Sequence, residues 1–154
     1  MNTDIKEQQS STNTQILLHI CANPEYLCVA RMAVRQVMQV VGLEEDKDKN
    51  ESVTLAVEEA LTNVIRHSYG GPCDKPIIMK LSKIDRCDKN KLALEIVIRD
   101  FGKQVEPESI KGADLDEVKP GGLGVHIIRS VMDEVEFSRA DDCGMQLRMV
   151  KYIT

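Results

Sequence analysis

Apolar residues recur along this chain with two spacings, and the changes between them mark out its elements. Gln15 to Cys21 is strongly apolar through Ile16, Leu17, Leu18 and Ile20, and reads as a strand. Asn23-Pro24 supplies an N-cap followed by proline at the first helical position. Leu27, Ala30, Val34, Val37, Met38 and Val41 then recur at helical spacing until Gly42 stops the helix. Leu43 to Lys49 is a charged run and reads as a loop. A second helix carries Val53, Val57, Ala60, Leu61 and Val64 on one stripe and ends near His67, before Gly70-Gly71-Pro72. Ile77, Met79 and Leu81 alternate with polar residues as in a strand, and Asp85 to Lys91 suits a hairpin turn. The clearest strand is Lys91 to Asp100, with Leu92, Leu94, Ile96 and Ile98 on one side. Lys103 to Pro120 is a long charged connection of the kind that forms lids. Gly124, Ile127, Ile128, Val131, Met132 and Val135 give a third helical stripe. A short strand from Val135 to Ser138, a turn through Gly144 and a last strand that slips in its alternation complete the chain.

Candidate chemistry sits at three points. Glu59 and Asn63 are four apart, so they stack one turn above the other at the edge of the second helix's stripe. Glu58 falls on the opposite flank, and His67 continues the row. An amide oxygen is a hard ligand suited to magnesium, and the acid can accept a proton or hold a water. Taken alone, such a pair is more often a solvated helical face. Asp100 shares parity with the apolar side of its strand, so that strand ends on a carboxylate aimed at the core. Burying it is costly unless it is paired. A ligand's donor, such as the exocyclic amine of adenine, would pair it; a carboxylate capping a turn explains it equally well. Gly121-Gly122-Leu123-Gly124 opens the third helix, where glycines let backbone N–H groups approach a phosphate and the helix dipole favours an anion. Arg31 and Arg35 read as a solvated face, with a partner-binding role as the alternative.

Composition narrows the setting. A chain of 154 residues, 42% hydrophobic and 29% charged, is one domain with room for a core. With no Trp, two Phe and three Tyr, that core must be built from Val, Ile, Leu and Met. The net charge of −5 without a basic cluster excludes nucleic acid as the main partner but leaves room for a nucleotide. The five cysteines are odd in number and lack metal-ligand spacing, so they read as reduced thiols of a cytoplasmic protein. No stretch approaches the roughly 20 apolar residues of a membrane span, and no membrane role is expected. Met1 to Thr14 is polar, lacks a signal peptide's apolar segment and reads as a frayed tail.

Together the three motifs resemble the GHKL (histidine-kinase-like) ATPases, and within them the anti-sigma-factor serine/threonine-protein kinases of bacterial partner-switching systems. "VEEALTNVIRHSYGG" is similar to that family's N-box, "IRDFG" to its first glycine box and "GGLGVHIIRSVMDEVEF" to its second. The motifs run from Leu55 to Phe137, and the element order agrees from about Gln15 onward. The resemblance implies an α/β (α+β) two-layer sandwich of the Bergerat type, with helices on one face of a mixed, mostly antiparallel sheet. It implies one ATP-binding kinase domain over residues 15–154 after a flexible tail at 1–14.

ATP would lie between helices and sheet, under the lid. Asn63 would coordinate Mg²⁺ through its side-chain oxygen. Asp100 would take the adenine amine, with Gly102 giving room beside the ring. The backbone around Gly122, Leu123 and Gly124 would hold the phosphates. Glu59 would act as general base toward a serine or threonine hydroxyl on a partner. His67 would help order the phosphate side, or be a satisfied histidine at the core edge.

The implied phospho-acceptor is a small STAS-type anti-anti-sigma protein, with a sigma factor as a second partner. A homodimer is compatible with the family, and the apolar positions of Gln15 to Val41 would serve either its interface or the core. No phospho-acceptor histidine helix pair is legible upstream, so a sensor histidine kinase is not expected. One departure concerns the lid, where several members carry an arginine before the glycine box. Here Lys119 supplies a point charge without arginine's bidentate fork. The alternative reading is therefore a nucleotide-gated protein-binding module with little or no phosphotransfer; a third is a plain ATPase.

Overall fold

The computed structural model describes residues 14–43, 46–111 and 122–153. In order these form β1 (Thr14–Cys21), a 3₁₀ turn (Pro24–Tyr26), α1 (Leu27–Val41), α2 (Lys47–Asn63) and a π-helical turn (Val64–Ser68). There follow β2 (Pro76–Arg86), β3 (Lys91–Arg99), a 3₁₀ turn (Pro107–Ser109), α3 (Leu123–Val131), β4 (Glu134–Arg139) and β5 (Met145–Tyr152). Residues 1–13 of the expected tail, and 112–120 of the expected lid with Lys119 among them, lie outside the described residues. Thr14, assigned to the tail from sequence, already opens β1.

The described strands form one sheet in the order β1-β2-β3-β5-β4. All four pairings are antiparallel, in line with the mostly antiparallel sheet expected, and the parallel pair of a mixed sheet is absent among the described strands. The connections explain this. Two helices, not one, join β1 to β2, so the chain returns in the opposite direction. The single helix α3 brings β4 back parallel to β3, but β5 lies between them, and no parallel ladder forms.

The helices cover one face of the sheet. Ile77, Met79, Leu81, Leu94, Ile96, Ile98, Leu147 and Met149 point into one core with the apolar stripes of the helices. In α1 the expected stripe is buried in full: Leu27, Ala30, Val34, Val37, Met38 and Val41. Gly42 closes it in the left-handed region at φ 93°, where a side chain would be strained. In α2, Val53, Val57, Ala60 and Leu61 are buried, with Thr54 and Ala56 beside them.

Three local expectations change. The charged connection is shorter than Leu43 to Lys49, because Asp46 accepts from the Lys49 N–H at 2.9 Å and caps α2 at Lys47. The third stripe is shifted: Val125, Ile128 and Met132 are buried, and Met132 is already extended. The last strand keeps its register throughout. Its apparent slip arises because Val150, on the outer face, is buried between Glu95 and Glu134, while Met149 is buried in the core.

That outer face carries an ionic cluster at its β4 end. Glu134 accepts from the Tyr152 hydroxyl (2.6 Å), Lys89 Nζ (2.9 Å), Arg86 Nη1 (2.9 Å) and Arg148 Nη1 (3.1 Å). The Tyr152 hydrogen bond, with the three cations, lowers its carboxyl from the ordinary 4.5 to about 2.

Candidate active site

Helix α2 presents its adjacent acids Glu58 and Glu59 to different neighbours. Glu58 pairs with Arg31 of α1 at 3.0 Å. Arg31, expected on a solvated face, is thus an inter-helix tie and only partly exposed. Glu59 turns the other way, toward α3. A Cβ built on Gly124 would stand 2.7 Å from Glu59 Oε2 and 3.4–3.5 Å from the amide atoms of Asn63. The missing side chain of Gly124 is therefore what lets the first turn of α3 close on this pair. Gly122 caps α3 with its backbone, and Leu123 is exposed beside it. The first N–H groups of a helix lack helical acceptors and form the positive end of its dipole.

Behind Asn63 the helix changes pitch. Tyr69 N–H bonds back to the Val64 carbonyl, five residues away, closing the π turn. An α-helix would place only His67 under Asn63. The wider turn brings both His67 and Ser68 to the same wall. His67 is exposed at the rim, not set into the core edge.

Asn63, His67, Ser68 and Asp100 line a cavity of about 290 Å³ between α2, α3 and the sheet. Its floor is apolar, from Ile98, Val125, Ile128 and Leu147. A flat apolar wall with a few convergent polar groups at one end is the pattern of a small-molecule site.

Asp100 is 3% exposed. Its Oδ1 accepts from Gly102 N–H at 3.0 Å and Met145 N–H at 3.2 Å, and its Oδ2 from the Ser68 hydroxyl at 3.0 Å. The turn-capping reading of Asp100 is thus observed directly, and the carboxylate also stands at the cavity wall.

Two glycines hold the carboxylate there. A side chain on Gly102 would collide with the Ser68 carbonyl, so the room expected beside a ring is first of all room for α2's last turn. Gly144, at φ 75°, lies against the Asp100 backbone, where a side chain would collide. Tyr69 ties the same corner: its hydroxyl donates to the Pro76 carbonyl at 2.5 Å and accepts from Phe101 N–H at 2.8 Å. Burial pushes the Tyr69 phenol above its ordinary value, so it stays a donor.

Ser68 and Tyr69 escape the sequence reading. They follow His67 directly and could have been flagged as polar groups between the Glu59/Asn63 helix and Gly70-Gly71. Gly144 is read from sequence as a turn glycine, but its close approach to the Asp100 backbone is not.

The structure thus brings Asn63, His67 and Asp100 to one cavity, while Glu59 and Gly124 are outside its lining and meet each other beside Asn63. A cavity between a helix pair and an antiparallel sheet, with this set of polar groups, points to a class. Residues 20–151 match the family described as the histidine kinase-like ATPase domain, and this chain belongs to that family. Among its curated relatives, the serine-protein kinase RsbW of Staphylococcus epidermidis is 29% identical over 153 residues, covering 93% of this chain and 89% of the relative. The serine-protein kinase RsbW of Listeria monocytogenes serotype 4a is 28% identical over 152 residues, covering 94% and 90%.

Proposed function

We propose that this chain is a Mg²⁺-ATP-dependent serine/threonine protein kinase. Its substrate would be a small STAS-type antagonist protein, and it would act as a partner-switching regulator of the anti-sigma-factor kind. The observation that carries the reading is the arrangement of Glu59 and Asn63. They stand one turn apart against Gly124, with Asn63 continuing into the cavity that Asp100 closes. The names of the two kinases above support the same chemistry. In this reading the kinase domain begins with β1 at Thr14, one residue earlier than expected, and runs to 154, with 1–13 an extension outside it.

The donor set fits a magnesium-nucleotide complex. Asn63 offers one hard oxygen, and Mg²⁺ commonly takes its remaining ligands from phosphates and water. When bound, that ion neutralises charge on the phosphoryl group in transfer. Gly124 lets the N–H end of α3 pack against Glu59 and Asn63, so that helix end and both side chains can face one phosphoryl group.

ATP is the second substrate. Asp100 accepts a hydrogen bond from its base, and the N–H groups that open α3 hold its anionic end. Glu59 takes the proton of the acceptor hydroxyl as that oxygen bonds to the γ-phosphorus and ADP leaves. His67 stands at the rim on the Asn63 side. Apart from the proton that Glu59 takes, each role is positioning or charge stabilisation, which is most of what phosphoryl transfer requires.

Lys119 in place of a lid arginine favours a second reading, a nucleotide-gated binder of a partner protein with slow transfer. Single-turnover transfer from labelled ATP to a purified STAS-type protein separates the two. The kinase reading requires transfer by the wild type and its loss in Glu59→Ala, with nucleotide affinity retained. Nucleotide binding without transfer in the wild type would leave the binder.

A further inference from the structure

We infer that Ser68 determines base specificity in the cavity, by making its polar end a pair of acceptors that fits a 6-amino purine and disfavours a 6-keto one. The inference rests on the nucleotide reading above and adds a residue to it.

The lone pairs of Asp100 decide the matter. A carboxylate oxygen offers two acceptor sites. Oδ1 uses both, on Gly102 N–H and Met145 N–H. Among the described residues, Oδ2 uses one, on the Ser68 hydroxyl, and keeps one free. A ligand's donor must therefore go to Oδ2, directly beside Ser68 Oγ.

The Ser68 hydroxyl has one hydrogen, and it is committed to Asp100. What Ser68 turns to the cavity is therefore its own lone pairs. The end of the cavity presents two acceptors, Oδ2 and Oγ, whose separation is the 3.0 Å of their own hydrogen bond. An exocyclic –NH₂ carries two hydrogens and can satisfy both. A 6-keto purine puts a carbonyl oxygen against at least one of them, leaving two acceptors face to face. Asp100 alone would be less discriminating, because a ring N–H can also donate to a carboxylate.

Ser68 reaches this place only through the π turn. With α-helical pitch, Asn63 and His67 would share the wall and residue 68 would be rotated out of it. The change of pitch, the hydroxyl and the carboxylate therefore form one device.

The test uses the full chain and two non-hydrolysed probes, ADP and inosine diphosphate, titrated calorimetrically against wild type, Ser68→Ala and Ser68→Thr. The wild type is expected to favour ADP by at least about tenfold. Ser68→Ala is expected to weaken ADP about five- to tenfold, the worth of one hydrogen bond, with inosine diphosphate changed less than about twofold. Ser68→Thr keeps the hydroxyl and is expected to restore the preference. A role confined to holding Asp100 in place would lower both affinities together, and an unchanged ADP preference in Ser68→Ala would equally overturn the inference. A wild type that binds ADP but has no preference also overturns it, while leaving the nucleotide reading intact. A wild type that binds neither diphosphate refutes the nucleotide reading itself, and this inference with it.

Discussion

Substituting Gly124 by alanine should separate folding from chemistry. The added Cβ would lie 2.7 Å from Glu59 Oε2, 0.7 Å inside the 3.4 Å at which ordinary contact begins. The amide of Asn63, at 3.4–3.5 Å, is in ordinary contact and need not move. The obstacle is the free end of a flexible side chain, so Glu59 yields and the helices stay. Gly→Ala within a helix contributes about 0.5–1 kcal/mol of stability, which offsets a small repacking cost. The melting temperature should thus be unchanged or rise by a few degrees. Displacing a reacting group by this much is a different matter. A misplacement near 1 Å can cost on the order of 10²-fold in rate, so transfer should fall about 10- to 100-fold. The assay is single-turnover transfer to the acceptor protein at saturating ATP, with ADP affinity and thermal melting measured on the same preparation. Transfer at the wild-type rate in a well-folded Gly124→Ala would refute the claim that Gly124 sets the position of Glu59.

Other substitutions probe the corner around Asp100 and the outer face. Gly144→Ala combines a left-handed φ with a backbone collision, so thermal melting should show a loss of at least about 2 kcal/mol, or roughly 4–8 °C. Tyr69→Phe removes one donor and one acceptor from the Pro76 carbonyl and Phe101 N–H; denaturant titration should report a loss of about 1–3 kcal/mol, with ADP binding weakened as the turn loosens. Glu134 has a folded pKa of about 2, below its ordinary 4.5. The folded state then binds fewer protons between those values, so its stabilisation is present above about 4.5 and is lost as pH falls toward 2. With solvent screening the amount is about 1–2 kcal/mol, and Glu134→Gln should flatten that acid limb in melts taken from pH 5 to pH 2.

Much of the fold is legible where one physical cause dominates. The stripe Leu27, Ala30, Val34, Val37, Met38 and Val41 is buried because helical periodicity leaves it no other face. The same holds for the inward row Leu94, Ile96 and Ile98 of β3. The assignment of Glu59 rather than Glu58 to the Asn63 edge follows from angle alone, and the Arg31 ion pair agrees with it. Legibility fails where two causes compete. The start of α2 is hidden because Lys47 to Lys49 carries charge and no periodic apolar residue, and only the Asp46 cap marks it. The slip expected in β5 reflects Val150, buried on a face whose cover is an ionic cluster drawn from β3, β4 and the β2–β3 turn. Ser68 is hidden most deeply. A reading at 3.6 residues per turn points it away from Asn63, and only the π turn brings it to the cavity. That turn is fixed by tertiary ties, among them Tyr69 to Pro76 and Phe101, and the close approach of Gly102.

The central claim is that Glu59 makes this fold a protein kinase. Its most direct test mixes the purified chain, Mg²⁺ and γ-labelled ATP with lysate from the source cell, beside the Glu59→Ala variant, and maps any labelled site. The account predicts one small labelled protein, modified on a single serine or threonine, and no label with Glu59→Ala although that variant still binds ADP. Tight nucleotide binding with no labelled protein, or equal labelling by Glu59→Ala, would contradict it.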